Sequence, residues 1–147
     1  MPLEKPQRLT PPAAPGVLLK RFNAPHMRLR LAETSDRDPV YLKLIRACPC
    51  LCCGMEPSEA AHVRMASASH GKASGMGKLP PDRWAAPLCA ADHRLAKDAQ
   101  HKGSERQFWN RLGIPILLVC EKLWRARGDL VAMRAVALVA IAGRTTR

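Results

Sequence analysis

Cys50-Leu51-Cys52-Cys53-Gly54, then Glu59-Ala60-Ala61-His62-Val63-Arg64, then Asp82-Arg83-Trp84-Ala85-Ala86-Pro87-Leu88-Cys89 and Asp92-His93, is the stretch on which the fold turns. Four of the 5 histidines and five of the 6 cysteines fall between Cys48 and His101. Zinc takes four tetrahedral donors, commonly two local pairs supplied by separate parts of a chain. Cys50 and Cys53 have the C-x2-C spacing of one pair, and Gly54 relieves the turn that such a knuckle needs. Cys89 is the third donor. The fourth is either Asp92, in C-x2-D spacing, or His93, one helical turn beyond Cys89; both residue types bind zinc. Cys48 and Cys52 lie beside the first pair and can substitute for it, whereas Cys120 reads as helix core.

Working outward, Glu59–Arg64 and Trp84–Leu88 read as two short strands of a hairpin. Residues 66–80, rich in Gly, Ser and Lys, read as a loop without periodicity, of a length that is usually functional. Asp38 is an N-cap and Pro39 a first helical residue for a short helix ending before Pro49. After Cys89 the pattern turns helical as far as Gly103. Ser104 and Gln107 cap a further helix, and residues 116–127 and 129–142 read as two more, separated at Gly128. The expected class is α+β. The expected division is a basic, Pro-rich, partly disordered arm at residues 1–28, a metal-stabilised domain at 29–127, and a C-terminal helix with a basic tail at 128–147.

A chain of 147 residues with only 3 Trp, 1 Tyr and 2 Phe builds a modest, aliphatic core. Lys and Arg total 24 against 12 Asp and Glu, a formal charge of +12. That excess attracts polyanions, nucleic acid first and an anionic membrane surface second. The most apolar run, Leu130 to Ala142, is shorter than the roughly 20 residues of a membrane span and holds Arg134. The N-terminus lacks the apolar core of a secretory signal. These features predict a cytoplasmic protein with no membrane partner, in which clustered cysteines bind metal rather than form disulfides.

The histidines suggest chemistry. A neutral imidazole at His62 can take a proton from water near neutral pH. His93, on the following helix, can hold a divalent ion. On one straight helix His93 and His101 would stand about 12 Å apart and could not share that ion unless the helix breaks. His101 is therefore a secondary ligand or an orienting residue, and His70 reads as solvated. Arg64, Lys72, Lys78 and Arg94 are placed to contact a DNA backbone without reading its sequence.

In order and spacing, Cys50-x2-Cys53-Gly54, Glu59-Ala60-Ala61-His62-Val63-Arg64, Gly75-Met76-Gly77-Lys78, Asp82-x4-Pro87-Leu88-Cys89, His93, Gln100-His101 and Phe108-Trp109 resemble the HNH-type ββα-metal nuclease superfamily. More narrowly they are similar to phage and prophage HNH-like proteins of a domain-of-unknown-function family related to phage recombination-enhancement nucleases. The resemblance runs from about Arg37 to Trp124. It implies a small zinc-stabilised ββα-metal core with flanking helices. It also implies a metal-dependent DNA endonuclease or nicking activity, with recombination or phage-packaging proteins as further partners. By the same resemblance His62 is the general base, and His93 binds a catalytic Mg2+ or Mn2+. Cys50, Cys53, Cys89 and position 92 hold structural zinc, while Lys78, Asp82 and His101 fall on recurring polar positions. The chain departs from the pattern at Asp92, usually Cys or His, and at Ala61, where an acidic or His ligand is common. A third departure is Trp84, near the expected Asn. The alternative function is a non-catalytic, zinc-stabilised DNA-binding module of the same fold.

Overall fold

Strands β1 (Glu59–His62) and β2 (Ala85–Leu88) pair antiparallel, with Glu59 opposite Leu88 and His62 opposite Ala85. The computed structural model describes residues 37–73, 77 and 79–145. The hairpin is made largely of alanine, and Ala61, Ala85, Ala86 and Leu88 are fully buried. Small side chains let helices pack directly on the ribbon, so a two-stranded sheet that would be marginal alone becomes the centre of the core. Trp84 closes a short 3-10 turn, Asp82–Trp84, and does not join the strand, although its carbonyl still accepts the Val63 N–H at 2.9 Å. On the far edge of β2, Pro87 accepts the Leu51 N–H at 3.0 Å, which lays the cysteine knuckle along the hairpin.

Among the described residues, four α-helices surround this ribbon: α1 (Pro39–Arg46), α2 (Glu105–Leu112), α3 (Ile116–Arg125) and α4 (Leu130–Ala142). α1 begins as its sequence dictates. Pro39 occupies the first turn, and Asp38 Oδ1 accepts the Tyr41 N–H at 2.9 Å. Tyr41 and Ile45, one turn apart, face inward, and Tyr41 stands edge-on to Trp124 of α3 at 5.0 Å. Ser104 caps α2, which buries Phe108, Trp109 and Leu112 and ends at Gly113 with φ +64°. Only glycine adopts that left-handed C-cap without strain. In α3, Ile116, Leu117, Val119, Cys120 and Leu123 are buried, and the Cys120 thiol lies against the Ala85 carbonyl.

Three expectations are corrected. Residues 66–80 are not featureless: Ser67 and Lys72 bridge across a 3-10 turn at Ala68–His70, while 74–76 and 78 lie outside the described residues. The helix after Cys89 is a single wide π-helical turn, Ala91–Leu95, and it ends at Ala96 with φ −64° and ψ 156°, well before Gly103. The C-terminal helix is not a separate segment, since Asp36–Arg147 form one compact unit and α4 buries Met133 and Ala137 completely. The expected arm at 1–28 lies outside the described residues. Among the described residues, no helix is long and apolar enough to cross a membrane.

Because Met133 is fully buried, Met133→Ala should lower the unfolding free energy by about 2–4 kcal/mol in urea titrations, with Val131→Ala nearly neutral. Equal effects would show that α4 does not share the core.

Candidate metal centre and adjoining histidine cluster

Cys50 opens a tight turn closed by Gly54 N–H to the Cys50 carbonyl at 2.7 Å, with Gly54 at φ +76°. That turn carries Cys53 round to face the end of β2. There Cys89 leads into the π-helical turn, and the Asp92 N–H points back at the Cys89 sulfur at 3.5 Å. The donor atoms of Cys50, Cys53, Cys89 and Asp92 all lie within 4.8 Å of one another, a set that could hold a metal ion.

Its dimensions suit zinc. Tetrahedral zinc with bonds of about 2.3 Å to sulfur separates two thiolates by about 3.8 Å, and a thiolate from a carboxylate oxygen by about 3.6 Å. Cys53 Sγ and Cys89 Sγ are 3.8 Å apart, and Asp92 Oδ2 lies 3.4 Å from Cys50 Sγ and 3.2 Å from Cys89 Sγ. The electrostatics call for a cation too. A hydrogen bond from the Cys52 thiol holds Cys50 down at about 5. Burial pushes Cys89 up to about 12, with a hydrogen bond to Asp92 and the neighbouring Cys50 adding to it, and burial followed by Cys50 raises Cys53. A bound divalent ion reverses that penalty and lets all four donors ionise.

His93 is turned away from this cluster. Its Nδ1 meets Glu59 Oε2 at 2.7 Å, and Arg94 grips the same carboxylate at 2.8 Å and 3.1 Å. Arg94 first, then His93, hold the Glu59 carboxyl down at about 2. An ionised carboxylate only accepts, so in the neutral His93 ring Nδ1 carries the proton and Nε2 presents a lone pair. This carboxylate–histidine arrangement is the usual support of a metal-binding imidazole.

That lone pair faces His101. The two Nε2 atoms are 2.9 Å apart and the ring centres 4.6 Å. The separation of about 12 Å expected on a straight helix does not occur. After Ala96 and Ala99, both extended, a 3-10 turn at Gln100–Lys102 folds His101 back onto His93. Gln100 anchors the return: its Nε2 donates to the His62 carbonyl at 3.3 Å and to Glu105 at 2.5 Å. Glu105 in turn accepts the N–H groups of Arg64 and Met65. Burial lowers the His101 pKa, with His93 and Arg64 adding to it, so its imidazole is neutral and able to ligate. Two nitrogens are too few to enclose an ion, and any ion here keeps positions for water or substrate oxygen.

His62 lies at the end of β1, on the face opposite Glu59 by strand alternation. Its Nε2 meets Asp82 Oδ1 at 2.8 Å. Asp82 is 2% exposed; it also takes the Arg37 guanidinium at 3.1 Å and the Asp38 N–H at 2.7 Å. Burial works against its charge, yet the Asp38 N–H, His62 and Arg37 together hold its carboxyl below the ordinary value. In the neutral ring, Asp82 therefore fixes the proton on Nε2 and leaves Nδ1 as the basic nitrogen.

Other expected site residues are placed differently. Lys72 is 4% exposed, its amine 5.9 Å over the Trp84 ring, so it presents no charge to a passing phosphate. His70 is not solvated: its Nδ1 meets Glu121 at 3.0 Å and its ring stands edge-on to Trp84. Arg64 is exposed, Arg94 is exposed but clasped by Glu59, and Lys78 lies outside the described residues. Cys48 and Cys120 are buried away from the cluster. The Asp82 clamp and the Gln100–Glu105 latch have no local sequence signature, because their partners are distant in the chain.

No protein-family model, no curated protein and no solved structure matches the chain.

If Asp92 is the fourth donor, Asp92→Ala should weaken zinc binding by at least roughly 10–100-fold in chelator competition, with His93→Ala near wild type. The reverse order would return His93 to the cluster. The Glu59 carboxyl should titrate by NMR at about 2. A depressed folded pKa means its contribution is complete above the unfolded value and is lost as pH falls through the folded one, so its pairing should survive at pH 4. Titration at the ordinary value of 4.5 would dissolve the pair.

Proposed function

We propose that the chain is a metal-dependent DNA endonuclease or nicking enzyme of the HNH ββα-metal type, pinned by structural zinc at Cys50, Cys53, Cys89 and Asp92. The observation that carries this reading is the convergence of His93 Nε2 and His101 Nε2 at 2.9 Å, beside a strand that ends in the Asp82-held His62. A cation bound by those two imidazoles would offset negative charge developing on a phosphodiester. His62 Nδ1 takes the proton of the attacking water, and Asp82 stabilises the imidazolium that results. Glu59 keeps His93 in the tautomer that ligates. Exposed Arg64 supplies positive charge to the phosphate backbone, Arg94 being paired with Glu59, and the +12 excess draws the polyanion in. Imidazole donors favour a transition ion such as Mn2+ over Mg2+, which prefers oxygen.

The second reading is a non-catalytic, zinc-stabilised DNA-binding module. It is favoured by Ala61, which offers no ligand before His62, and by the absence of a third donor beside His93 and His101 among the described residues.

Nicking of supercoiled plasmid separates the two. Wild type should nick with Mn2+. His62→Ala should lose roughly 100-fold or more with DNA retention unchanged, and Asp82→Asn should fall between them. DNA binding without nicking under any divalent metal would select the second reading, and failure to bind DNA would remove both.

A further inference from the structure

The outward face of α4 is apolar and complementary to itself. The only charged residue of the helix, Arg134, is turned to the Ala47 carbonyl at 2.6 Å and to Glu56 at 2.5 Å. Met133 and Ala137 fill the core on one side. On the other, Val131, Ala135, Leu138 and Ala142 are all exposed and recur at intervals of four, three and four residues. That is the spacing of a coiled-coil seam, on a face where a solvent-facing helix is normally polar. Val131 is 79% and Leu138 55% exposed.

We propose that this face joins two copies of the chain, with their α4 helices antiparallel about a two-fold axis. Centring the axis between Val136 and Ala137 sets Val131 of each copy opposite Ala142 of the other, and Leu138 opposite Ala135. Each large residue then meets a small one, the interdigitation that fills a seam without voids. A parallel pairing puts Leu138 on Leu138 and Ala135 on Ala135, and loses that fit. Beside the stripe, α3 and α4 leave an apolar groove of about 420 Å3, with Leu118 and Val139 on its walls. The large exposed side chains of this face present on the order of 400 Å2 per copy, and with their small neighbours two copies would remove about 1,000 Å2, the lower bound of a specific interface. The +12 charge opposes association at long range, whereas on α4 the one charged side chain, Arg134, is turned away from the stripe, and Lys122 lies in the adjoining groove. Salt that screens this repulsion should therefore tighten the dimer, opposite to its effect on DNA binding.

Sedimentation equilibrium of the full chain from about 1 to 100 μM, in low and high salt, tests this. Mass should rise from 16.2 kDa towards twice that value, more readily in high salt. Leu138→Lys should stay monomeric and remain folded, with a melting temperature that does not depend on protein concentration. Ala135→Leu alone should weaken the dimer roughly tenfold or more, and adding Leu138→Ala should restore it by exchanging large and small. A wild type that stays monomeric throughout overturns the proposal, as does a dimer indifferent to Leu138→Lys. A monomer that instead sediments with phosphatidylserine vesicles through Leu138 would make the face a lipid contact, and would equally overturn it.

Discussion

Four donors that could hold one ion meet within 4.8 Å where the knuckle at 50–54, already tied to β2 by the Leu51 N–H on the Pro87 carbonyl, faces the π-helical turn after that strand. The hairpin between them is eight residues, half of them alanine, and its aromatic support comes from Tyr41 before it, Trp84 beside it and the helices after it. Burial keeps the Cys89 thiol protonated beside the lowered Cys50 thiol, and a divalent ion bound among the four donors would offset that penalty and couple its binding to folding. The π-helical turn matters for the same reason. Its width lets the chain present Asp92 to the cysteines and His93 to Glu59 from adjacent positions.

Adjacent residues are thereby sent to two different clusters. Asp92 faces inward at 5% exposure, and His93 faces Glu59 and His101. The histidines are themselves governed by carboxylates, Glu59 on one face of β1 and the Asp82–His62 pair at its end. Glu59 is held ionised chiefly by Arg94 and Asp82 by the Asp38 N–H with His62 and Arg37, and each fixes which nitrogen of a neutral imidazole keeps a proton. The basic excess of the chain thus serves two ends, a surface field and the internal neutralisation that keeps these carboxylates charged.

Much of this was legible in residue order. The α1 cap at Asp38-Pro39, the hairpin, the Ser104 cap and the cysteine donors follow from local rules of turn chemistry and spacing. Between Asp92 and His93, spacing could not decide, because the choice depends on Glu59, more than thirty residues away. The return of His101 was hidden for a different reason. Ala96-Lys97-Asp98-Ala99 contains no glycine or proline, so nothing local announces a break; the turn is imposed by Gln100 and Glu105 binding to the end of β1. Lys72 misled because a lysine in a glycine-rich loop reads as surface, while here Trp84 and the core beneath it enclose the side chain.

The proposed nuclease requires two separate metal positions, one among sulfurs and one between imidazoles. Crystals grown with zinc and soaked in Mn2+, with anomalous diffraction collected at each metal edge, would locate both. A zinc peak enclosed by Cys50, Cys53, Cys89 and Asp92, with a distinct manganese peak between His93 Nε2 and His101 Nε2, is the predicted result. A single peak in which His93 joins the cysteines, with nothing at His101, would contradict it.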